Sequence, residues 1–168
     1  MREPTLIIGL GNLLMGDDSL GLVALERLRS DWELPEEVEL MDGGTWGMNL
    51  LPFIECCDRV ILLDAIQNNT QPGTVIELAG DRVPRMLSHK LSPHQIDMRE
   101  VLAVASLRGT LPRTLVALGI EPLDVEMRTE LSDVVAAAIP RLVTRAIQQL
   151  KSFGHPCVRR MRVAVCTS

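Results

Sequence analysis

Apolar residues follow two alternating patterns along this chain, one typical of buried strands and one typical of amphipathic helices. Nearly continuous apolar runs at residues 5–10, 59–63 and 114–119 predict strands that are covered on both faces, as in a parallel sheet. Shorter runs predict two further strands at residues 38–41 and 74–78. These strands are expected to form one sheet.

Between the predicted strands, apolar residues recur at helical spacing, which predicts helices packed on the sheet. The expected helices cover residues 19–30, 48–54, 96–107 and 131–150. Pro140 falls inside the last of them and predicts either a kink or a junction between two helices. Strands alternating with helices predict an α/β fold in three layers: a twisted, mostly parallel sheet of about five strands with helices on both faces.

The chain is long enough for one hydrophobic core. No repeat, low-complexity tract or linker divides its 168 residues. We therefore expect a single domain over residues 1–168, with a flexible tail from about residue 152.

Composition argues against two broad classes of function. The chain has 17 Lys and Arg residues against 22 Asp and Glu, a net charge of −5, and only 2% aromatic residues. The basic grooves and stacking platforms of nucleic-acid binding are therefore not expected. No apolar run approaches the roughly 20 residues of a membrane span, and Glu3 and Pro4 stand where a signal segment would begin. We expect a cytoplasmic protein without membrane insertion.

The cysteines show no arrangement typical of a site. Cys56, Cys57, Cys157 and Cys166 include no C-x-x-C pair, and the adjacent Cys56 and Cys57 are poorly placed to bridge each other. We expect free thiols of a reducing compartment. A cysteine nucleophile stays open, without a sequence signature in its favour.

The loop after the first strand holds two neighbouring carboxylates. A dinucleotide fingerprint would need glycine at position 14, where Leu14 stands, and a phosphate loop would need lysine where Asp17 and Asp18 follow Gly16. Because like charges repel, this loop is unsuited to an anionic phosphate. One aspartate suffices to cap the following helix, so the other carboxylate is left for a metal site or a second structural role.

Two more residues carry candidate metal ligands. Asp64 directly follows a buried strand, and it would meet Asp17 and Asp18 at one sheet edge if the two strands are neighbours. His94 follows Pro93, which restrains its backbone. Two carboxylates and one imidazole suit Zn, Ni, Mn or Fe. A turn residue and a solvated loop histidine are the ordinary alternatives for Asp64 and His94.

Residues 42–45 read Asp-Gly-Gly-Thr and predict a tight exit turn after the second strand. Two glycines permit a positive φ and a close backbone approach. A peptide could therefore lie against this turn, and both readings stay open.

Four motifs together resemble the [NiFe]-hydrogenase maturation endopeptidases, over roughly residues 5–150. Each motif is weak alone, but their common order and spacing are specific. In chain order they are Gly9-Leu10-Gly11-Asn12 with Gly16-Asp17-Asp18, Asp42-Gly43-Gly44-Thr45, Leu63-Asp64-Ala65, and Ser92-Pro93-His94-Gln95.

The resemblance implies a peptidase that removes a C-terminal extension from the precursor of the hydrogenase large subunit after nickel insertion. Cleavage would let the active site close and let the small subunit join. The family's three metal-binding positions, which we take as catalytic, fall on Asp18, Asp64 and His94. Aspartate stands at 18 where the family often has glutamate, and Asp17 would cap the helix or support the site.

The resemblance also implies that the nickel is carried by the precursor, so the enzyme need not hold a permanent metal. A site of three ligands without cysteine would be a modest metal site by itself. The alternative function on the same residues is a non-proteolytic nickel-binding assembly factor.

Overall fold

The computed structural model describes residues 4–83 and 98–161, and a five-stranded sheet lies at its centre. The strands of the described part are β1 (Thr5–Leu10), β2 (Trp32–Glu33), β3 (Val38–Gly44), β4 (Arg59–Ala65), β5 (Val75–Ala79), β6 (Thr114–Ile120) and β7 (Val158–Arg159). Its longer helices are α1 (Leu20–Asp31), α2 (Leu51–Glu55), α3 (Met98–Leu107) and α4 (Asp133–Ser152). Single 3-10 turns cover Gly16–Ser19 and Gly47–Leu50.

The strand order is β3-β1-β4-β6-β5. The first four strands are parallel and β5 runs antiparallel to β6. Because β1 lies between β3 and β4, Gly9 is paired with Asp42 on one side and with Leu63 on the other. The predicted α/β fold with a mostly parallel sheet is confirmed.

Buried side chains on the two faces of the sheet form two separate apolar clusters. Leu6 and Ile8 of β1 point into one cluster, with α2 and α3. Ile7 points into the other, with α1 and α4. This alternation follows from the two-residue period of a strand, and it explains why β1 shows no polar face in the sequence. The helices therefore cover both faces, as a three-layer fold requires.

Helix α1 packs very closely on the sheet where β1 and β4 end. A Cβ atom on Gly21 would lie 2.1 Å from the carbonyl oxygen of Leu63 and 2.5 Å from that of Leu10. Only glycine fits at such a distance from two backbone atoms. The start of α1 is therefore fixed against both strands, which places the preceding residues, 16–19, at the same edge of the sheet.

The Asp-Gly-Gly segment is part of β3, and not the exit turn that the sequence predicted. The strand continues to Gly44, and its pairing with β1 shifts between Gly9 and Leu10, which makes Gly43 a bulge. A Cβ on Gly43 would lie 2.5 Å from Cγ2 of Ile8. Gly44 has a φ of +40° and accepts a hydrogen bond from the Gly11 amide.

Helix α4 is one continuous helix, so the junction of two helices proposed at Pro140 is wrong. A flexible tail from about residue 152 stays a prediction, and the described residues that follow α4, up to residue 161, make long-range contacts. His155 is buried and its Nε2 lies 2.8 Å from the hydroxyl of Thr5. Strand β7 pairs with β2, and the Arg160 amide donates to the carbonyl of Asp31. These partners lie far away in sequence, so local composition could not show them.

Asp17 ties the loop after β1 to the segment after β6. Its carboxylate is completely buried. Oδ1 accepts a hydrogen bond from the Ser132 amide at 2.7 Å, and Oδ2 accepts from the Leu123 amide at 2.9 Å and the Ser132 hydroxyl at 2.8 Å. Nη2 of Arg128 lies 3.7 Å from Oδ1. Both oxygens are therefore engaged by one segment, residues 123–132.

We expect Gly21→Ala to lower the free energy of unfolding by about 3 kcal/mol or more, since the methyl group must displace two backbone carbonyls. Helix propensity alone would favour alanine by about 1 kcal/mol, so the sign tests the packing. Urea unfolding measures both variants, with Ser30→Ala on the exposed face of α1 as the control. A stabilised Gly21→Ala protein would contradict the close approach.

Asp17→Ala is expected to lower the free energy of unfolding by about 3 kcal/mol or more, because it leaves the amides of Leu123 and Ser132 and the Ser132 hydroxyl without their acceptor. Asp17→Asn keeps one acceptor oxygen and should cost less. The urea midpoint is the measurement, and Glu126→Ala, an exposed carboxylate of the same segment, serves as the matched control. Equal midpoints for the Asp17 and Glu126 variants would refute the anchoring role.

Candidate functional site

Asp18 and Asp64 lie at the same edge of the sheet. Strands β1 and β4 are parallel neighbours, so both end at that edge. Asp64 is the residue after Leu63, which pairs with Gly9, and the 3-10 turn that carries Asp18 contacts β4. The condition under which the sequence predicted convergence, that these two strands are neighbours, is therefore met. This edge is also where parallel α/β sheets place their sites.

The backbone of the loop after β1 positions the Asp18 side chain. Its Oδ2 accepts a hydrogen bond from the Asn12 amide at 2.9 Å, and the side chain is half-buried. Gly11 has a φ of +125°, and a Cβ there would lie 1.8 Å from the carbonyl oxygen of Asp18. Gly11 thus allows the loop to fold back on itself, and the Asn12 amide in this loop orients the Asp18 carboxylate.

Asp64 is held more deeply, inside β4. Only 3% of its surface is exposed, and its Oδ1 accepts a hydrogen bond from the Ala65 amide at 2.9 Å. It pairs with Gly119 of β6, where a Cβ would lie 2.4 Å from the carbonyl oxygen of Asp64. A buried carboxylate on a central strand has little freedom to move, which suits a residue that must present an oxygen in one place.

His94, the third predicted ligand, lies outside the described residues. Within residues 4–83 and 98–161, no three His, Cys, Asp or Glu side chains are grouped so that they could hold a metal ion. The described part of the site is therefore a pair of carboxylates.

The two neighbouring aspartates divide between structure and site. Asp17 was expected to cap the helix or to support the site. Its carboxylate does not cap the helix that follows it; it accepts hydrogen bonds from Ser132, the residue just before α4. Asp18 instead bonds within its own loop at the carboxyl edge. Of the two side chains, Asp18 is the more accessible to a substrate.

Glu121 is a third buried carboxylate at this edge, and it was not among the predicted site residues. It directly follows β6, and its Oε2 accepts hydrogen bonds from the amides of Asn68 and Thr70 and from the Thr70 hydroxyl. These donors lie in the loop between β4 and β5, which Glu121 therefore fastens. A carboxylate directly after a buried strand is the same signal that drew attention to Asp64.

An apolar cleft of about 390 Å³ begins beside the Asp18 loop. Leu13, Leu22, Val23, Glu26, Arg27 and Asp42 line it. Leu13 follows Asn12, whose amide binds Asp18, so the cleft adjoins the candidate site. A larger cleft of about 890 Å³ lies between β5 and α4 and includes neither candidate carboxylate.

Two of the described cysteines, Cys57 and Cys157, do not suit a nucleophile. Burial raises the pKa of the Cys57 thiol, and nearby Glu39 raises it further. Burial also raises the pKa of the Cys157 thiol. Both thiols therefore stay protonated at neutral pH, whereas the thiolate is the reactive form. Cys57 also precedes β4, so it lies at the edge opposite to Asp64.

Among residues 4–83 and 98–161, no helix combines enough length with enough apolar character to cross a bilayer.

Comparisons with known proteins identify the family of the chain. The model of the family described as "Hydrogenase maturation protease" matches residues 23–149. A hydrogenase expression/formation protein, HupD of Rhizobium leguminosarum bv. viciae, is 36% identical over 151 residues, covering 89% of this chain and 75% of that protein. The hydrogenase 2 maturation protease of Escherichia coli is 33% identical over 156 residues, covering 92% of this chain and 95% of that protein.

Among solved structures, the hydrogenase maturating endopeptidase HybD of E. coli superposes with a TM-score of 0.88 at 33% identity, covering 94% of this chain and 98% of that one. Sequence, fold and relatives thus agree, and the chain belongs to the hydrogenase maturation protease family.

Proposed function

We propose that the protein is an endopeptidase that removes a C-terminal extension from the precursor of a [NiFe]-hydrogenase large subunit after nickel has been inserted. The observation that carries the proposal is that Asp64 lies near the end of β4 and that the 3-10 turn carrying Asp18 contacts this strand, in a chain of the maturation protease family. Removal of the extension would let the new C-terminus close over the metal centre and let the small subunit join.

In this proposal, the nickel arrives with the precursor as part of the substrate. Carboxylate oxygen and imidazole nitrogen suit nickel among several divalent metals, and Asp18, Asp64 and His94 would supply them. Three such ligands without a thiolate form an incomplete shell, so ligands from the precursor would have to complete it. Cleavage would then depend on successful insertion of the metal.

The two described carboxylates are suited to such recognition because the protein holds them in place before any substrate binds. The Asn12 amide orients Asp18, and the Ala65 amide orients Asp64. Preorganised groups lose little conformational entropy when the reacting centre arrives. The half-buried Asp18 is the more accessible of the two, whereas Asp64 stays deep in the strand.

Asp18→Asn, Asp64→Asn and His94→Ala should each lower the cleavage rate by about 100-fold or more, as expected for loss of a ligand or of an acid–base group. The assay incubates each purified variant with nickel-loaded precursor and follows the precursor mass. Asp81→Asn, an exposed carboxylate beyond β5, is the matched control and should cleave normally. Circular dichroism checks that each variant is folded.

Normal processing by the three site variants would refute the assignment of the site. If the wild-type protein binds the nickel-loaded precursor but leaves its mass unchanged, the non-proteolytic nickel-binding assembly factor is the better description.

Chelation should separate nickel carried by the substrate from nickel held by the enzyme. Enzyme that has been treated with a chelator and then desalted is expected to cleave nickel-loaded precursor at the untreated rate. The precursor without nickel should stay at full length with either enzyme preparation. Loss of activity that only added metal restores would show that the enzyme holds a metal of its own.

A further inference from the structure

Five large apolar side chains stand exposed on the loops after β1, β3 and β6. Each has more than half of its surface exposed, and Met127 has 85%. We name this set the apolar rim; its members are Leu13, Leu14, Trp46, Leu123 and Met127. Exposed apolar side chains that are grouped on neighbouring loops, and not scattered singly, are typical of interaction sites.

Hydrogen bonds join these loops into one surface. The Arg128 amide, next to Met127, donates to the Leu14 carbonyl, and the Gly16 amide donates to the Arg128 carbonyl. The Leu123 amide donates to the carboxylate of Asp17. The rim residues after β6 are thereby fixed beside those after β1.

The loop after β3 is also joined to the loop after β1 by a backbone hydrogen bond. The Gly11 amide donates to the Gly44 carbonyl, and the Trp46 amide donates to the Gly43 carbonyl. Trp46 therefore lies on a loop that is bonded to the Asp18 loop. Leu13 connects the rim to the apolar cleft that Asp42 also lines.

The charged residues on the loops that carry the apolar rim are almost all acidic. Asp18, Asp42, Glu126 and Glu130 are exposed or half-exposed. Arg128 is the one basic residue of segments 11–18, 42–47 and 122–130, and its Nη2 already lies 2.8 Å from Asp124. The described surface thus combines apolar side chains with an excess of carboxylates.

We propose that the apolar rim and its carboxylates form the docking surface for the precursor, and that this surface takes a segment combining apolar and basic side chains near the cleaved bond. The proposal rests on the proposed function, because the rim lies on the Asp18 loop and on the loops bonded to it, next to the site where that bond would be cut. Apolar burial supplies affinity, and complementary charge supplies specificity and a faster encounter.

The test is steady-state cleavage of nickel-loaded precursor by the variants Leu14→Glu and Met127→Glu. The KM should rise at least tenfold while kcat stays within about twofold, because the site carboxylates are untouched. Leu107→Glu is the matched control: Leu107 is 89% exposed at the end of α3, towards the opposite edge, and the substitution should leave KM unchanged. Leu14→Ser provides a second, uncharged variant should either glutamate variant fail to fold.

A charge reversal tests the second half of the proposal. The double variant E126K/E130K should also raise KM, and 0.5 M NaCl should shrink the difference from wild type because salt screens exposed charges. If wild-type enzyme cleaves and the rim variants keep its KM, the docking surface is refuted while the proposed function stands. If wild-type enzyme cleaves no precursor, the proposed function fails and the docking surface fails with it.

Discussion

The buried carboxylate of Asp17 joins the loop after β1 to the segment after β6. It accepts hydrogen bonds from the backbone and side chain of residues 123–132, more than a hundred positions away. Through that contact the loop after β1 has a fixed partner, and the next residue, Asp18, has a defined place. A site formed by loops at a strand edge needs such a support, because loops have little apolar burial of their own.

Buried carboxylates act together with close packing at this edge of the sheet. Asp17 binds the segment after β6, and Glu121 binds the loop between β4 and β5. A carboxylate offers about four acceptor positions and so can satisfy several backbone amides at once. The loops around Asp18 and Asp64 are therefore held by hydrogen bonds from distant parts of the chain.

The bounds of a strand that is buried on both faces could be predicted from the sequence, whereas features that depend on residues far away in the chain could not. The bounds of β1 agree because both of its faces are buried, which leaves an apolar run between Pro4 and Gly11. The bulge at Gly43 depends on Ile8, which a local pattern does not include. The neighbouring residues do not show that Asp17 is structural while Asp18 faces the site, because Asp17 is engaged by Ser132, far away in the sequence. The strand order placed Asp64 beside the Asp18 loop, and His94 stays a prediction.

The hydrogen bond between Thr5 and His155 joins positions that are 150 residues apart. Thr5 is the first residue of β1, so the hydrogen bond that fixes the start of this strand forms only after residue 155 has been synthesised. Contacts of such long range slow folding, because the loop must close before the contact can stabilise it. A truncated chain that ends before His155 would therefore leave the hydroxyl of Thr5 without this partner.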